Sequence, residues 1–285
     1  MSARSLSVLS LVASGCVLAA CGGGGSGGSS SGGQQSTSGL AKPGVLTTCT
    51  HLPYPPFQFE QNGKVVGFDV DIVDKAAKKL GAKQAFLDTP FENFKTGAFL
   101  NTRQCDVAAA GITITAERKK NVDFSDPYFD ATQALLVRKG SDIPNLAGAK
   151  GKKIGVQTQT TGEEYAAGKG LDPTSFESSD ALLNGLRTGQ VDAVITDYPV
   201  VAGWLKQPAL AAAFEVRDNL DTHEQYGIMV RKGNTKVLDA LNAAIKESKA
   251  DGSYKASYEK WIGPYLPKST AGTASKTPSG TTTSK

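Results

Sequence analysis

"AAAGITITAERKKNVDFSDPYF", residues 108–129, decides how the rest of the chain is read. Ala108-Ala109-Ala110 continues an apolar run that stops at Gly111. A run apolar on both faces is what a strand buried in a parallel sheet requires. Thr113 and Thr115 follow at alternate positions, then the charged group Glu117-Arg118-Lys119-Lys120. In open α/β sheets, ligands bind beyond the carboxyl ends of strands. Gly111 leaves backbone groups accessible at such an end, and Thr113 can offer a hydroxyl. Arg118 adds a planar fork of donors matched to a carboxylate. Lys119 and Lys120 read as a solvated helix end.

The pattern on either side alternates strand and helix. Before the stretch, residues 45–49 read as a strand, and residues 68–80 as a helix with Ile72, Val73, Ala76, Ala77 and Leu80 on one face and Gly81 as its stop. A strand over 84–87, a helix over 92–102 and the strand 106–111 complete a β-α-β-α-β unit. After it come a strand at 134–137 and a polar segment at 139–145. A second series follows, with strand 152–156, helices near 162–167 and 180–187, strand 191–195 and a helix after Asp197. A strand at 226–230 and helices at 235–249 and 254–262 close the pattern. Two α/β series joined by two crossings, near 134–140 and 225–231, predict an α/β chain of two lobes around a cleft. The expected division is 43–138 and 226–267 for one lobe and 139–225 for the other.

The chain has 285 residues and a formal net charge of +4. That length can bury two modest cores. The mild positive charge forms no basic stripe interleaved with aromatics, which argues against nucleic acid. Residues 1–20 carry Arg4 and a largely apolar run from Leu6 to Ala20, the pattern of a secretory signal too short to span a bilayer. It ends in Leu18-Ala19-Ala20-Cys21-Gly22, which resembles the lipobox of bacterial lipoproteins and so implies lipidation of Cys21. Two acyl chains would hold a protein stably at a membrane where one would not. Residues 21–42 are then a Gly/Ser-rich tether, of roughly 20–25 Å typical reach, and 268–285 a Ser/Thr/Gly/Lys tail expected to be disordered.

Two cysteines remain in the folding part, Cys49 and Cys105. An exported protein could join them. If they sit near opposite ends of neighbouring parallel strands, however, several residues of strand separate them, which argues against a bridge. His51 and His223 are the two histidines, and no Cys/His spacing of a zinc site exists. No metal or cofactor is expected.

Two further places carry candidate binding chemistry. Thr160-Thr161-Gly162-Glu163-Glu164 reads as a strand-to-helix turn, with Thr161 and Glu164 spaced as a capping box. Free N–H groups at a helix start favour an anion, so Thr161 is a cap, a ligand contact, or both. Gln157, earlier on the same loop, is a candidate side-chain selector. Asp197 ends a strand before Tyr198-Pro199 and reads either as a helix cap or as a ligand group.

Taken in order, several motifs resemble one family. They are Pro55-Pro56-Phe57-Gln58-Phe59, Gly67-Phe68-Asp69-Val70-Asp71, Gly111 to Arg118, Val122-Asp123-Phe124-Ser125-Asp126-Pro127-Tyr128, Ile154-Gly155-Val156-Gln157, Val191-Asp192-Ala193-Val194 and Tyr226-Gly227-Ile228. Over residues 43–266 the chain resembles the family 3 solute-binding proteins, the polar amino-acid receptors of ABC importers. The resemblance implies a two-lobed periplasmic-binding-protein-like fold of type II, with two mixed open sheets and helices on both faces. It implies that Arg118 clamps the α-carboxylate of a free amino acid, that Asp197 takes its α-ammonium, and that Tyr54 and Phe91 sandwich its aliphatic part, with plain core as the alternative reading of Phe91. His51 departs from the aspartate that receptors for basic and amide amino acids often carry there. It removes a fixed negative charge, or it is a cleft-edge residue without ligand contact.

The resemblance further implies a monomer that delivers its ligand to membrane permease subunits of an ABC importer, outside the cell membrane or in a periplasm. Two other classes stay open. A dehydratase on the same fold would need a poised acid or base, for which only Glu92 and His51 offer themselves. A sensor signalling to a membrane regulator would need the same cleft. With Arg118 and Asp197 cancelling the charges of an amino-acid backbone, His51 and Gln157 favour a glutamine-like side chain, an acidic one next, over arginine, lysine or leucine.

Overall fold

The computed structural model describes residues 39–265; the signal, Cys21, nearly all of the tether and the tail fall outside them. In chain order, the first sheet's elements are β1 (Val45–Thr50), a small hairpin of β2 (Phe59–Gln61) and β3 (Lys64–Val66), α1 (Phe68–Lys79), β4 (Lys83–Asp88), α2 (Ala98–Asn101), β5 (Val107–Ala108), α3 (Ala116–Lys119) and β6 (Val122–Phe124). The chain then enters β7 (Phe129–Arg138), β8 (Ile154–Gln157), α4 (Thr161–Gly168), β9 (Pro173–Phe176), α5 (Ser179–Thr188), β10 (Ala193–Asp197), α6 (Tyr198–Trp204), α7 (Pro208–Ala213) and β11 (Phe214–Tyr226). It returns through β12 (Met229–Arg231), α8 (Thr235–Ala250) and α9 (Ser253–Trp261).

The strands form two mixed five-stranded sheets, ordered β4-β1-β5-β12-β6 and β11-β7-β10-β8-β9. In the first, β4, β1 and β5 run parallel and β12 runs against β5 and β6. In the second, β10, β8 and β9 run parallel, while β7 opposes both β10 and β11. The expected alternation of strand and helix is therefore present as an α/β fold.

Three expectations change. The segment 134–140 does not cross between lobes, because all of β7 lies in the second sheet, paired with β10 and β11. The chain changes sheets before Phe129 and again between Tyr226 and Met229, so the expected boundary at 138 moves back by about one strand. Polar β11 had no readable alternation: its pairing slips between Val216 and Asp218 and between Leu220 and Glu224, and His223 has φ 53°. The helix expected over 92–102 is a 3-10 turn at Phe91–Lys95 followed by α2, with Gly97 at φ 61° between them.

The third correction concerns the cysteines. Cys49 and Cys105 form a disulfide with Cα atoms 5.6 Å apart. The argument against it assumed an extended strand from residue 106 onward. Pairing with β1 begins only at Val107. Cys105 belongs to the turn after α2, where its N–H donates to the Phe99 carbonyl. That turn lies on the face of the first sheet toward which Cys49 points, among Phe94, Phe99, Leu100 and Met229.

Candidate functional site

The carboxyl ends of strands from both sheets meet at one place. Gly111 follows β5 with φ 59°, a left-handed conformation that favours glycine. A Cβ there would lie 2.9 Å from Tyr54 Cε1 and 3.3 Å from a Tyr226 ring carbon, so close packing also requires glycine. The turn is held by Asp69, whose carboxylate accepts the Gly111 N–H at 2.9 Å and the Tyr128 hydroxyl at 2.6 Å. Burial outweighs those two bonds and pushes the Asp69 carboxyl up to about 7. Only its place in Gly67-Phe68-Asp69-Val70-Asp71 hinted at this role.

The alternate threonines divide their work. Thr115 caps α3, accepting the Arg118 N–H at 3.2 Å. Thr113 turns into the cleft, and its carbonyl accepts from Arg118 Nη1 at 2.8 Å. The other guanidinium nitrogen, Nη2, donates to the Gln159 carbonyl at 3.2 Å, across from the first sheet. Arg118 is 5% exposed, packs 5.8 Å above the Phe91 ring centroid, and joins no ion pair among the described residues. Burial disfavours its charge, and the carboxylates of Glu164, Asp197 and Glu224 offset that from a distance without touching it.

Helix α4 begins beside it. Its cap is Thr160, which accepts the Glu163 N–H at 3.2 Å, while Glu163 accepts the Gln159 N–H at 2.7 Å. The capping box thus stands one residue earlier than the Thr161/Glu164 pair expected, and the Thr161 hydroxyl is free of capping. It lies 3.4 Å from the Thr113 hydroxyl and donates to Glu224 at 3.1 Å.

Asp197 occupies the cap position of α6, but its side chain makes no cap bond. Its carboxylate accepts from Tyr54 at 2.8 Å, from Gln133 at 2.6 Å and from the Tyr226 hydroxyl. Burial pushes its carboxyl above the usual range, opposed by the bonds from Tyr226, Tyr54 and Gln133 and by the Arg118 charge. Tyr54 thereby reaches from the first lobe's loop to the second sheet.

Glu224 was not found in the sequence. Its Oε2 accepts from Thr161, from Thr113 at 3.2 Å and from Gln133 Nε2 at 3.0 Å. Gln133, fully buried on β7, spans the two carboxylates with one amide nitrogen. Burial and the Asp197 charge push Glu224 up to about 7, against the hydrogen bonds it receives. The slip between Leu220 and Glu224 re-aims this side chain, and only the Glu-x-Tyr-Gly order before the return to the first sheet could have drawn attention to it.

The remaining candidates are less central. Phe91 packs in the core on Phe94, with ring centroids 5.4 Å apart, and also presents its face to Arg118. The His51 ring stands edge-on to Phe91 at 6.3 Å, its Nδ1 3.1 Å from the Thr89 carbonyl. Gln157 ends β8 with its amide on the Glu177 carbonyl at 3.4 Å, outside the Arg118–Glu224 cluster of bonds. Glu92 is exposed.

A guanidinium, two carboxylates, a helix start and an aromatic ring thus come together at the junction of the two lobes. The description "bacterial extracellular solute-binding proteins, family 3" fits residues 46–264. The arginine-binding periplasmic protein of Mannheimia haemolytica is 35% identical over 215 residues, 74% of this chain and 88% of its own length. The ABC transporter glutamine-binding protein of Bacillus subtilis is 34% identical over 205 residues, 70% of this chain and 74% of its own. Among solved structures, an ancestral arginine-binding protein bound to arginine is 43% identical, with a TM-score of 0.71 over 77% of this chain and 99% of that one. The chain belongs to the bacterial extracellular solute-binding proteins of family 3, amino-acid-binding components of ABC transporters with the type II periplasmic-binding-protein fold.

Proposed function

We propose that the protein captures a free polar amino acid outside the cell, encloses it between the two lobes and delivers it to the permease subunits of an ABC importer. The observation that carries this reading is the buried Arg118 guanidinium, held by two carbonyls and in direct contact with no carboxylate among the described residues, although Glu164, Asp197 and Glu224 act on it from a distance. Its remaining N–H groups suit the ligand α-carboxylate, which the N–H groups at the start of α4, beside Thr161, approach from the other lobe. Asp197 takes the α-ammonium, aided by backbone oxygens near Gly111 and Thr113. Tyr54 and Phe91 wall the aliphatic part, while His51 and Gln157 border the side chain.

Contacts that run between the lobes give a mechanism. Arg118 to Gln159, Tyr54 to Asp197 and Thr113 to Thr161 all join residues of different sheets. A ligand that completes these contacts favours the enclosed form by the affinity it adds there, which is hinge closure. Lipidation of Cys21 would keep the receptor at the membrane surface, with the tether giving it reach to the permease. Calorimetric titration of the purified protein with each of the twenty amino acids tests the reading. Saturable binding of one or a few of them at micromolar or tighter affinity is expected, and no binding of any refutes it.

A further inference from the structure

The fixed charges of the cleft do not cancel. Arg118 supplies one positive charge, and the start of α4 adds roughly half of another. Against these stand two carboxylates, Asp197 and Glu224, joined through the single Gln133 amide nitrogen. An amino acid brings its own α-carboxylate to Arg118 and its α-ammonium to Asp197. Glu224 is then left with three neutral donors, Thr113, Thr161 and Gln133, all on one oxygen.

We propose that Glu224 is a specificity-determining residue of this cleft, selecting an amino acid with a cationic side chain over one with a neutral or acidic side chain. The inference rests on the receptor reading above and names its ligand class. It replaces the sequence-based preference for glutamine, which counted one carboxylate against one guanidinium. In a water-excluded cleft a carboxylate acts on a cation without touching it, because neither solvent nor salt screens the pair strongly.

A second observation points the same way. The Thr89 carbonyl can only accept, so the His51 Nδ1 beside it carries the proton. The other ring nitrogen, Nε2, is buried without a hydrogen-bond partner, and in the neutral ring it presents a lone pair. On the Phe91 side of the cleft, that lone pair suits the N–H groups of a guanidinium or ammonium and opposes a carboxylate.

Other charged and titratable groups around Glu224 leave this balance negative. Asp197 faces it from β10, Arg118 from α3, and the Tyr54 and Tyr226 hydroxyls stand on Asp197. On the outer side of the hinge, Glu224 borders a groove shared with Asp130, Asp221 and His223. A neutral ligand must leave Glu224 ionised and uncompensated, or give it a proton. A cationic ligand supplies the missing charge.

The test is calorimetry of the full chain with arginine and with glutamine at pH 8, for wild type and Glu224→Gln. Wild type is expected to bind arginine at least tenfold tighter than glutamine, and the variant to lower that preference at least tenfold. A preference unchanged within threefold overturns the proposal, as does wild type favouring glutamine. Should the variant fail to fold, wild type alone decides through titrations in buffers of different ionisation enthalpy. Glutamine binding should take up close to one proton and arginine binding none; equal uptake overturns the proposal. Failure of every amino acid to bind would instead refute the receptor reading on which this rests.

Discussion

Replacing Asp69 with asparagine should remove a large part of the pH dependence of stability. Asp69 is 1% exposed, and its carboxyl is pushed up to about 7, against an unfolded value of about 3.9. A carboxyl whose folded pKa is raised contributes stability that is fully present below the unfolded value and is lost as pH rises through the folded one. Between pH 5 and pH 8 the loss from this one group is about 2.5 kcal/mol. For a folded body of this size that corresponds to roughly 5–10 °C in melting temperature. Asparagine keeps an oxygen for the Gly111 N–H, and its amide can face Tyr128, whose hydroxyl turns to accept. The turn is held and the titration is gone.

The assay is urea unfolding of wild type and Asp69→Asn at pH 5, 6, 7 and 8, without added amino acid. Glu224 contributes a slope of the same sign in both proteins, so the difference between the two curves isolates Asp69. The variant should gain about 2.5 kcal/mol on wild type between pH 5 and pH 8. Parallel curves, within about 0.5 kcal/mol, would refute the claim that Asp69 stores this cost beneath the binding turn. Asp69→Ala serves as contrast: it strands the Gly111 N–H and the Tyr128 hydroxyl, at about 1–3 kcal/mol each, at every pH.

Arg118→Ala should weaken amino-acid binding by about 2–5 kcal/mol, thirtyfold or more, because the ligand carboxylate would stay buried and unpaired. Calorimetry giving an affinity within threefold of wild type sinks the clamp. Replacing both Cys49 and Cys105 with alanine should cost about 4 kcal/mol, from the 56-residue separation that the bridge closes. Urea unfolding with and without reductant checks it, and equal stabilities would mean the bridge constrains nothing. Cys21→Ser should release the protein from membranes, and its retention in the membrane fraction would remove the lipid anchor from the proposal.

What was legible in the sequence follows from how each signal is generated. Buried strands and amphipathic helices write their periods directly, so β1, α1, β8, α5 and α8 were readable to within a residue or two. Arg118 and Thr113 were readable because both sit on one continuous turn, where spacing fixes direction. Asp197 was readable because it ends a strand, although its cap position also offered a structural reading that its side chain does not take up. The bridge was misjudged because a turn looks like strand when its last residues are Cys105-Asp106 before Val107.

Glu224 belongs to another kind of information. It lies 111 residues from Thr113, 91 from Gln133 and 63 from Thr161, yet touches all three. Pairing of β7 with β11 brings Gln133 to it, the bridge between Thr113 and Tyr226 brings Thr113, and the start of α4 supplies Thr161, while the irregular register of β11 erases the alternation that would have marked the strand. The consequence is functional. In the proposed reading, the residues offered to a ligand backbone can be found on single turns, whereas the charge proposed to choose among ligands is set where the two crossings meet. A reading that counts charges along the chain will therefore recover an amino-acid receptor before it recovers which amino acid the receptor prefers. The tertiary contacts of the crossing strand put the second carboxylate into the count.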